Sequence, residues 1–171
     1  GCIFYKQERV GHNNVPFLIW KFATMVKNSA NMPGGIMTTI KDPRITPMGG
    51  FLRKSKINEL PQLFNIFLGH ISVVGPRPVM KISLEAYPNE IQKVIYNVKP
   101  GLTGIGSIVF RDEEELITNV KNNGGDPWIF YKEKIYPFKG ELEMWYQANC
   151  SFLLDLQLIF MTAWVIFVPT S

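Results

Sequence analysis

Apolar and polar positions alternate near the start of the chain. Ile3 to Glu8 and Pro16 to Met25 are short, aromatic and β-branched, and Gly11-His12-Asn13-Asn14 lies between them as a turn cluster. This predicts a β-hairpin with Lys21 on its second strand. Residues 27–40, with Pro33 and Gly34-Gly35, lack periodicity and read as a loop. Asp42-Pro-Arg-Ile-Thr then leads through Gly49-Gly50 into a short basic helix, Phe51 to Lys56. Leu60, Leu63, Phe64, Phe67 and Leu68 follow at helical spacing, so a helix starting at Asn58-Glu59 is expected to bury that face.

Further along, Met80 to Tyr87 and Asn89 to Val98 read as two short helices divided by Pro88. Lys99-Pro-Gly-Leu-Thr-Gly-Ile-Gly reads as a loop whose glycines let backbone approach a ligand. Arg111 to Glu115 is a charge run suited to a solvated face, and Asn122-Asn123-Gly124-Gly125 is a turn. Asp126-Pro127 has the form of an N-cap followed by proline, opening a longer helix through Tyr136 or beyond with a bend at Pro137. Phe152 to Val168 is densely apolar, but Asp155 and Gln157 interrupt it. The run from Leu158 is shorter than the ~20 apolar residues of a spanning helix. It reads as a buried or interfacial helix, with Trp164 suited to a headgroup region. The fold class expected is α+β, mostly helical with a small N-terminal β-hairpin, as one domain over residues 1–171.

Composition changes this picture in one respect. The chain is 46% hydrophobic and 19% charged, which is greasy for a domain of 171 residues and predicts apolar surface facing lipid or another segment. A net charge of +4, from 18 basic and 14 acidic residues, suits phosphorylated ligands or an anionic membrane. It is too small and dispersed to argue for nucleic acid. Cys2 and Cys150 follow no metal or redox spacing and read as free thiols in a reducing compartment. His12 and His70 sit in turn-like settings without partners at ligand spacing.

The candidate chemistry is concentrated between Phe51 and Pro78. Arg53, Lys54 and Lys56 precede the expected helix start, where Asn58 suits an N-cap and free N–H groups favour anions. Arg77 lies between Pro76 and Pro78, which fix the backbone on both sides and preset the direction of a guanidinium suited to phosphate. Singly, each feature has a plainer explanation: Asn58 caps, Glu59 complements the helix dipole, Gly75-Pro-Arg-Pro is a stiff turn. Their crowding into one stretch favours a site. Lys21 alone would be a solvated strand lysine, and Asp42 is a turn-former rather than a catalyst.

Glu59-Leu-Pro-Gln-Leu-Phe-Asn-Ile followed by Ile71-Ser-Val-Val-Gly-Pro-Arg-Pro resembles the signature of the bacterial sugar transferases known as small monotopic phosphoglycosyl transferases. The likeness extends to Gly1-Cys-Ile-Phe-Tyr-Lys-Gln-Glu-Arg-Val-Gly, Lys21-Phe-Ala-Thr-Met, Asp42-Pro-Arg-Ile-Thr, Lys99-Pro-Gly-Leu-Thr-Gly and Ser151-Phe-Leu-Leu-Asp-Leu. It implies transfer of a sugar-1-phosphate from a UDP-sugar to polyprenol phosphate with release of UMP, through a covalent phosphosugar. It implies phosphate contacts from Lys21, Arg53 and Arg77, Mg²⁺ at Glu59, an acidic active-site residue at Glu143, and a substrate-side loop at Lys99 to Gly104. Location at the cytoplasmic face of a bacterial inner membrane follows, with downstream glycosyltransferases as further partners. The chain opens at Gly1 inside a motif that the family precedes with a re-entrant membrane helix, so a longer protein is expected.

Two positions depart from the family pattern. Ala23 stands where arginine is usual. The family's nucleophile and metal ligand are a consecutive Asp-Glu pair, and here the pair is Asn58-Glu59. A neutral amide cannot form a stable acyl phosphate, which leaves open displaced catalysis, a non-catalytic binder of UDP-sugar or polyprenol phosphate, or an introduced change.

Overall fold

The structure, a computed structural model, describes residues 3–32 and 38–167. Cys2, the Pro33 to Gly35 part of the expected loop, and Val168 therefore lie outside the described residues. The hairpin forms as expected: β1 (Phe4–Val10) pairs antiparallel with β2 (Pro16–Phe22), with Tyr5 opposite Lys21, Gln7 opposite Ile19 and Arg9 opposite Phe17. Directly opposed residues share a face. Tyr5, Gln7, Arg9, Ile19 and Lys21 thus lie on one side, where Ile19 is buried. In the turn, Asn13 and Asn14 take left-handed backbone, with φ of 53° and 60°, which asparagine tolerates better than most residues. The second strand ends at Phe22 rather than Met25, which forms an isolated bridge to Ile45.

The first helix, α1 (Pro47–Lys54), starts ahead of the expected Phe51 because Thr46 caps it, its Oγ accepting the Gly49 N–H at 3.0 Å. Gly49 lies inside that helix, where a Cβ would overlap the Thr24 carbonyl. Asn58 and Glu59 do not begin a helix. They close a 3-10 turn, Ile57–Glu59, and α2 (Gln62–Phe67) follows with Pro61 in its N-cap position.

The orientation of α2 reverses the expectation from spacing. Leu60, Leu63, Phe64, Phe67 and Leu68 are all exposed, Phe67 to 90%, while Gln62 and Asn65 are fully buried. Asn65 supplies a physical reason. Its Nδ2 donates to the Leu18 carbonyl at 2.8 Å and its Oδ1 accepts the Trp20 N–H at 3.0 Å, so the amide completes the backbone edge of β2. No apolar side chain could satisfy those two groups.

The region expected to be a glycine loop instead contributes a strand. β3 (Ser72–Val74) is followed by α3 (Lys81–Leu84) and α4 (Asn89–Val94), shorter than the helices expected around Pro88, and then by β4 (Gly101–Thr103). β3 and β4 pair in parallel, Ser72 with Gly101 and Val74 with Thr103. A Cβ on Gly75, Gly101 or Gly104 would overlap backbone across this junction. These glycines admit a neighbouring chain segment rather than a ligand.

Five helices complete the fold: α5 (Ile105–Val109), α6 (Glu113–Asn122), α7 (Pro127–Phe130), α8 (Tyr136–Asn149) and α9 (Phe152–Phe167). Asp126 caps α7 as expected, its Oδ1 accepting the N–H groups of Trp128 and Ile129. The interruption expected at Pro137 falls earlier, as a π-helical turn over Tyr131–Ile135, where the missing proline N–H loosens the preceding ladder. The Arg111 to Glu115 run is partly engaged: Glu113 pairs with Lys139 at 3.0 Å and Glu114 with Arg53.

The core joins Tyr87, Tyr96, Tyr131 and Tyr136 with Val10, Leu84, Ile95, Ile117 and Ile135. A smaller cluster seats Leu158 of α9 against Val74 and Tyr146. Phe152, Leu153, Phe160 and Trp164 remain exposed on α9. Among the described residues no helix is long and apolar enough to cross a membrane.

Candidate functional site

The hairpin, the 3-10 turn and the segment after β3 converge on the Glu59 carboxylate. Arg77 donates to it twice, Nη2 to Oε1 at 2.5 Å and Nη1 to Oε2 at 3.3 Å. Lys21 Nζ lies 3.7 Å from the same Oε1. The register of β2 puts Lys21 on the inner hairpin face, and the Pro76-Arg77-Pro78 backbone aims the guanidinium back across it.

The Arg77 backbone is held at its carbonyl. Tyr96 Oη donates to the Arg77 carbonyl at 2.8 Å and accepts the Val79 N–H at 3.0 Å. The backbone N–H groups of Arg77 and Gly106 lie close enough to the Glu143 carboxyl to favour its ionised form. The preset direction read from the two prolines is thus reinforced by the buried Tyr96 side chain just after α4.

Electrostatics separate the groups. Burial would raise the Glu59 carboxyl, but Arg77 and Lys21 outweigh it and hold Glu59 down to about 2. Burial is the main cause that lowers Lys21 to about 7, aided by Arg77, Arg9 and Arg53 and opposed by Glu59. Burial likewise pushes Glu143 up to about 7 against the pull of Lys139 and of those two backbone N–H groups. Glu143 is only 1% exposed and its Oε2 has no partner among the described residues. Glu143 is thus a buried group, positioned where Gly106 lacks a Cβ that would overlap its carboxylate.

Other sites read from the sequence fall differently. Arg53 directs its guanidinium to Glu114, and it reaches the cluster through its field on Lys21. Asn58 is 8% exposed, makes no side-chain cap, and leaves Oδ1 buried without a partner among the described residues. Asp42 is a buried structural group paired with Arg44 at 2.6 Å, consistent with a turn. Cys150 is free and exposed. His12 reaches the Asn97 carbonyl and His70 the Asn65 amide. Among the described residues no group of three or more His, Cys, Asp or Glu could hold a metal ion.

One residue escaped the sequence reading. Arg9 shares the hairpin face of Lys21, and both Arg77 and Glu59 act on it electrostatically. Its signal was available in the alternation Tyr5, Gln7, Arg9. Lys21, Arg77 and Arg9 together outnumber the one carboxylate they surround, an arrangement that attracts anions with several charged oxygens. For a divalent cation the local donors are the Glu59 carboxylate and the unpartnered Asn58 Oδ1. Oxygen donors of this kind fit Mg²⁺, which takes one or two carboxylates and completes its shell with phosphate oxygens and water.

The model of the family described as bacterial sugar transferase matches residues 1–169. The chain is 31% identical to a UDP-galactose-lipid carrier transferase of Erwinia amylovora, over 97% of this chain and 33% of that protein. It is 33% identical to a UDP-glucose:undecaprenyl-phosphate glucose-1-phosphate transferase of Klebsiella pneumoniae, over 100% of this chain and 34% of the relative. It is 35% identical to the exopolysaccharide production protein ExoY of Sinorhizobium fredii, over 95% of this chain and 69% of that protein. The chain thus spans about a third of the length of the first two.

Proposed function

Because the chain belongs to the bacterial sugar transferase family, we propose that it transfers a sugar-1-phosphate from a UDP-sugar to polyprenol phosphate. The P–O bond between the two phosphoryl groups of the donor breaks, UMP leaves, and a new P–O bond forms on the acceptor phosphate. The observation that carries this reading is the Glu59 carboxylate held between Arg77 and Lys21 with Arg9 nearby. When a diphosphate enters, Arg77 and Lys21 have charge to give to it, and Lys21, lowered to about 7 in its absence, gains a partner that favours its protonated form. Arg53 adds to the field from its place beside Glu114. Tyr96 keeps Arg77 in register, and Glu143, buried beside the same backbone, acts as a positioning residue rather than touching phosphate.

Glu59 and Asn58 would hold Mg²⁺, which when bound neutralises diphosphate charge. The outward apolar face of α2 and the exposed residues of α9 support location at a membrane, where a polyprenol tail resides. We place it at the cytoplasmic face of a bacterial inner membrane, feeding glycosyltransferases that extend the product.

Asn58 favours a second reading, a non-catalytic binder of the same ligands, since an amide cannot carry a phosphosugar as an acyl phosphate. UMP release from a UDP-sugar panel with polyprenyl phosphate decides between them. Release by the parent, or by Asn58→Asp together with a phosphosugar adduct seen by intact mass, supports transfer. Binding of UDP-sugar without UMP from either form supports the second reading.

A further inference from the structure

We infer that Arg9 is a further anion-binding residue of this site, taking phosphate oxygens on a guanidinium edge that the protein leaves unpartnered. It rests on the transfer reading only for which phosphate is bound.

The geometry begins with the hairpin register, which puts Arg9 on the face that carries Lys21. The end of β1 runs beside the arginine-proline segment: the Val10 N–H donates to the Val79 carbonyl at 2.9 Å. Arg9 and Arg77 therefore rise from neighbouring backbone. Arg9 Nη2 donates to Gln7 Oε1 at 2.6 Å, and Nη1 reaches the Pro78 carbonyl at 3.5 Å, the outer limit of a hydrogen bond. Nε is buried with no partner among the described residues. Gln7 is itself fixed, its Nε2 lying 3.1 Å from Met80 Sδ.

No carboxylate forms an ion pair with Arg9 among the described residues. Its guanidinium is partly buried beside a second guanidinium, and burial first, then Arg77, lower it to about 10. A desolvated cation next to a like charge destabilises the free protein, and an incoming anion removes that penalty. A purely structural arginine would close its N–H groups on carbonyls or a carboxylate. Here a five-donor fork makes one short bond. Two guanidiniums from adjacent segments match two linked phosphoryl groups better than one, which favours a diphosphate.

The test measures binding of uridine, UDP, inorganic pyrophosphate and farnesyl phosphate in detergent to the full chain and to Arg9→Gln. Pyrophosphate and UDP affinity should fall about ten-fold or more, with a shallower salt dependence, as expected for a lost charge-assisted contact. Uridine affinity should stay within about two-fold. Gln7→Leu removes the one short bond of Arg9 but keeps its charge, and it should retain pyrophosphate binding. Unchanged affinity in Arg9→Gln, or an equal loss in Gln7→Leu, overturns the inference. Loss for farnesyl phosphate with UDP unchanged assigns Arg9 to the acceptor phosphate instead of the donor.

Pyrophosphate binding through Arg9 in a protein that never releases UMP refutes transfer and leaves the anion site standing. UMP release with undiminished binding in Arg9→Gln refutes the anion site alone. Should Arg9→Gln fail to fold, phenylglyoxal labelling of the unaltered protein gives the answer by peptide mass. Pyrophosphate should protect Arg9, and equal labelling with and without it overturns the inference.

Discussion

Arg77→Met removes the bidentate partner of Glu59 while keeping an apolar stem of similar length. In the parent, the Glu59 carboxyl is held at about 2 against an ordinary 4.5, and its side chain is 16% exposed. The difference corresponds to roughly 3 kcal/mol. The sign follows from linkage: a folded value below the unfolded one gives stability that is present above pH 4.5 and is lost as pH falls toward 2. In Arg77→Met the burial that opposes ionisation, the largest influence on Glu59, meets only Lys21 at 3.7 Å and the weaker pull of Lys56, so the carboxyl should move up past its unfolded value. The contribution then reverses, being present in acid and lost as pH rises. At pH 7 the variant should be less stable by about 3–5 kcal/mol, the usual cost of breaking a buried pair from one side. The gap should narrow steadily below pH 5. Urea unfolding at pH values from 3 to 6 reads this below the range in which Lys21 titrates. A gap that stays constant with pH would refute the assignment of Glu59 as the group that Arg77 holds ionised.

Three further outcomes are expected. Glu143, raised to about 7 by burial, contributes stability that is full below pH 4.5 and lost as pH rises through 7, so Glu143→Gln should flatten urea stability between pH 5 and 8 while the parent weakens. Asn65→Leu leaves the Trp20 N–H and the Leu18 carbonyl unpaired, and at about 1–3 kcal/mol for each it should lower the urea midpoint sharply despite adding apolar volume. Phe64→Asp with Phe67→Asp should cut vesicle sedimentation without changing the urea midpoint, since both rings are exposed; unchanged sedimentation would remove α2 from the membrane contact.

Features with short-range causes were legible from the chain. Alternation around Gly11 to Asn14 located the hairpin, Asp126-Pro127 located a capped helix start, and Pro76-Arg77-Pro78 located a preset arginine. The family resemblance named Lys21 and Arg77 for phosphate and Glu59 for Mg²⁺, and these three side chains meet as neighbours. Features that depend on distant segments were hidden. The outward face of α2 follows from Asn65 meeting the backbone of β2, a contact between residues 47 apart that no local period reports. The β3 and β4 pair is too short to show alternation, and its glycines face each other rather than a ligand. Glu143 could be recognised as buried only with Gly106 beside it, and Arg9 as unpaired only with Pro78 and Gln7 in place.

The π turn over Tyr131–Ile135 acts as an angular offset in the long helical stretch that ends at Asn149. Within it, the buried positions are Tyr131 and Ile135; after it, they are Tyr136, Lys139, Gly140, Glu143 and Tyr146. One extra residue in a turn rotates everything downstream by about 100°. The phase of α8 is thereby dialled so that Glu143 points at the Arg77 backbone. Deleting a single residue from this turn would rewind the helix to its regular pitch and swing the carboxylate away from Gly106, so chain length here sets an angle.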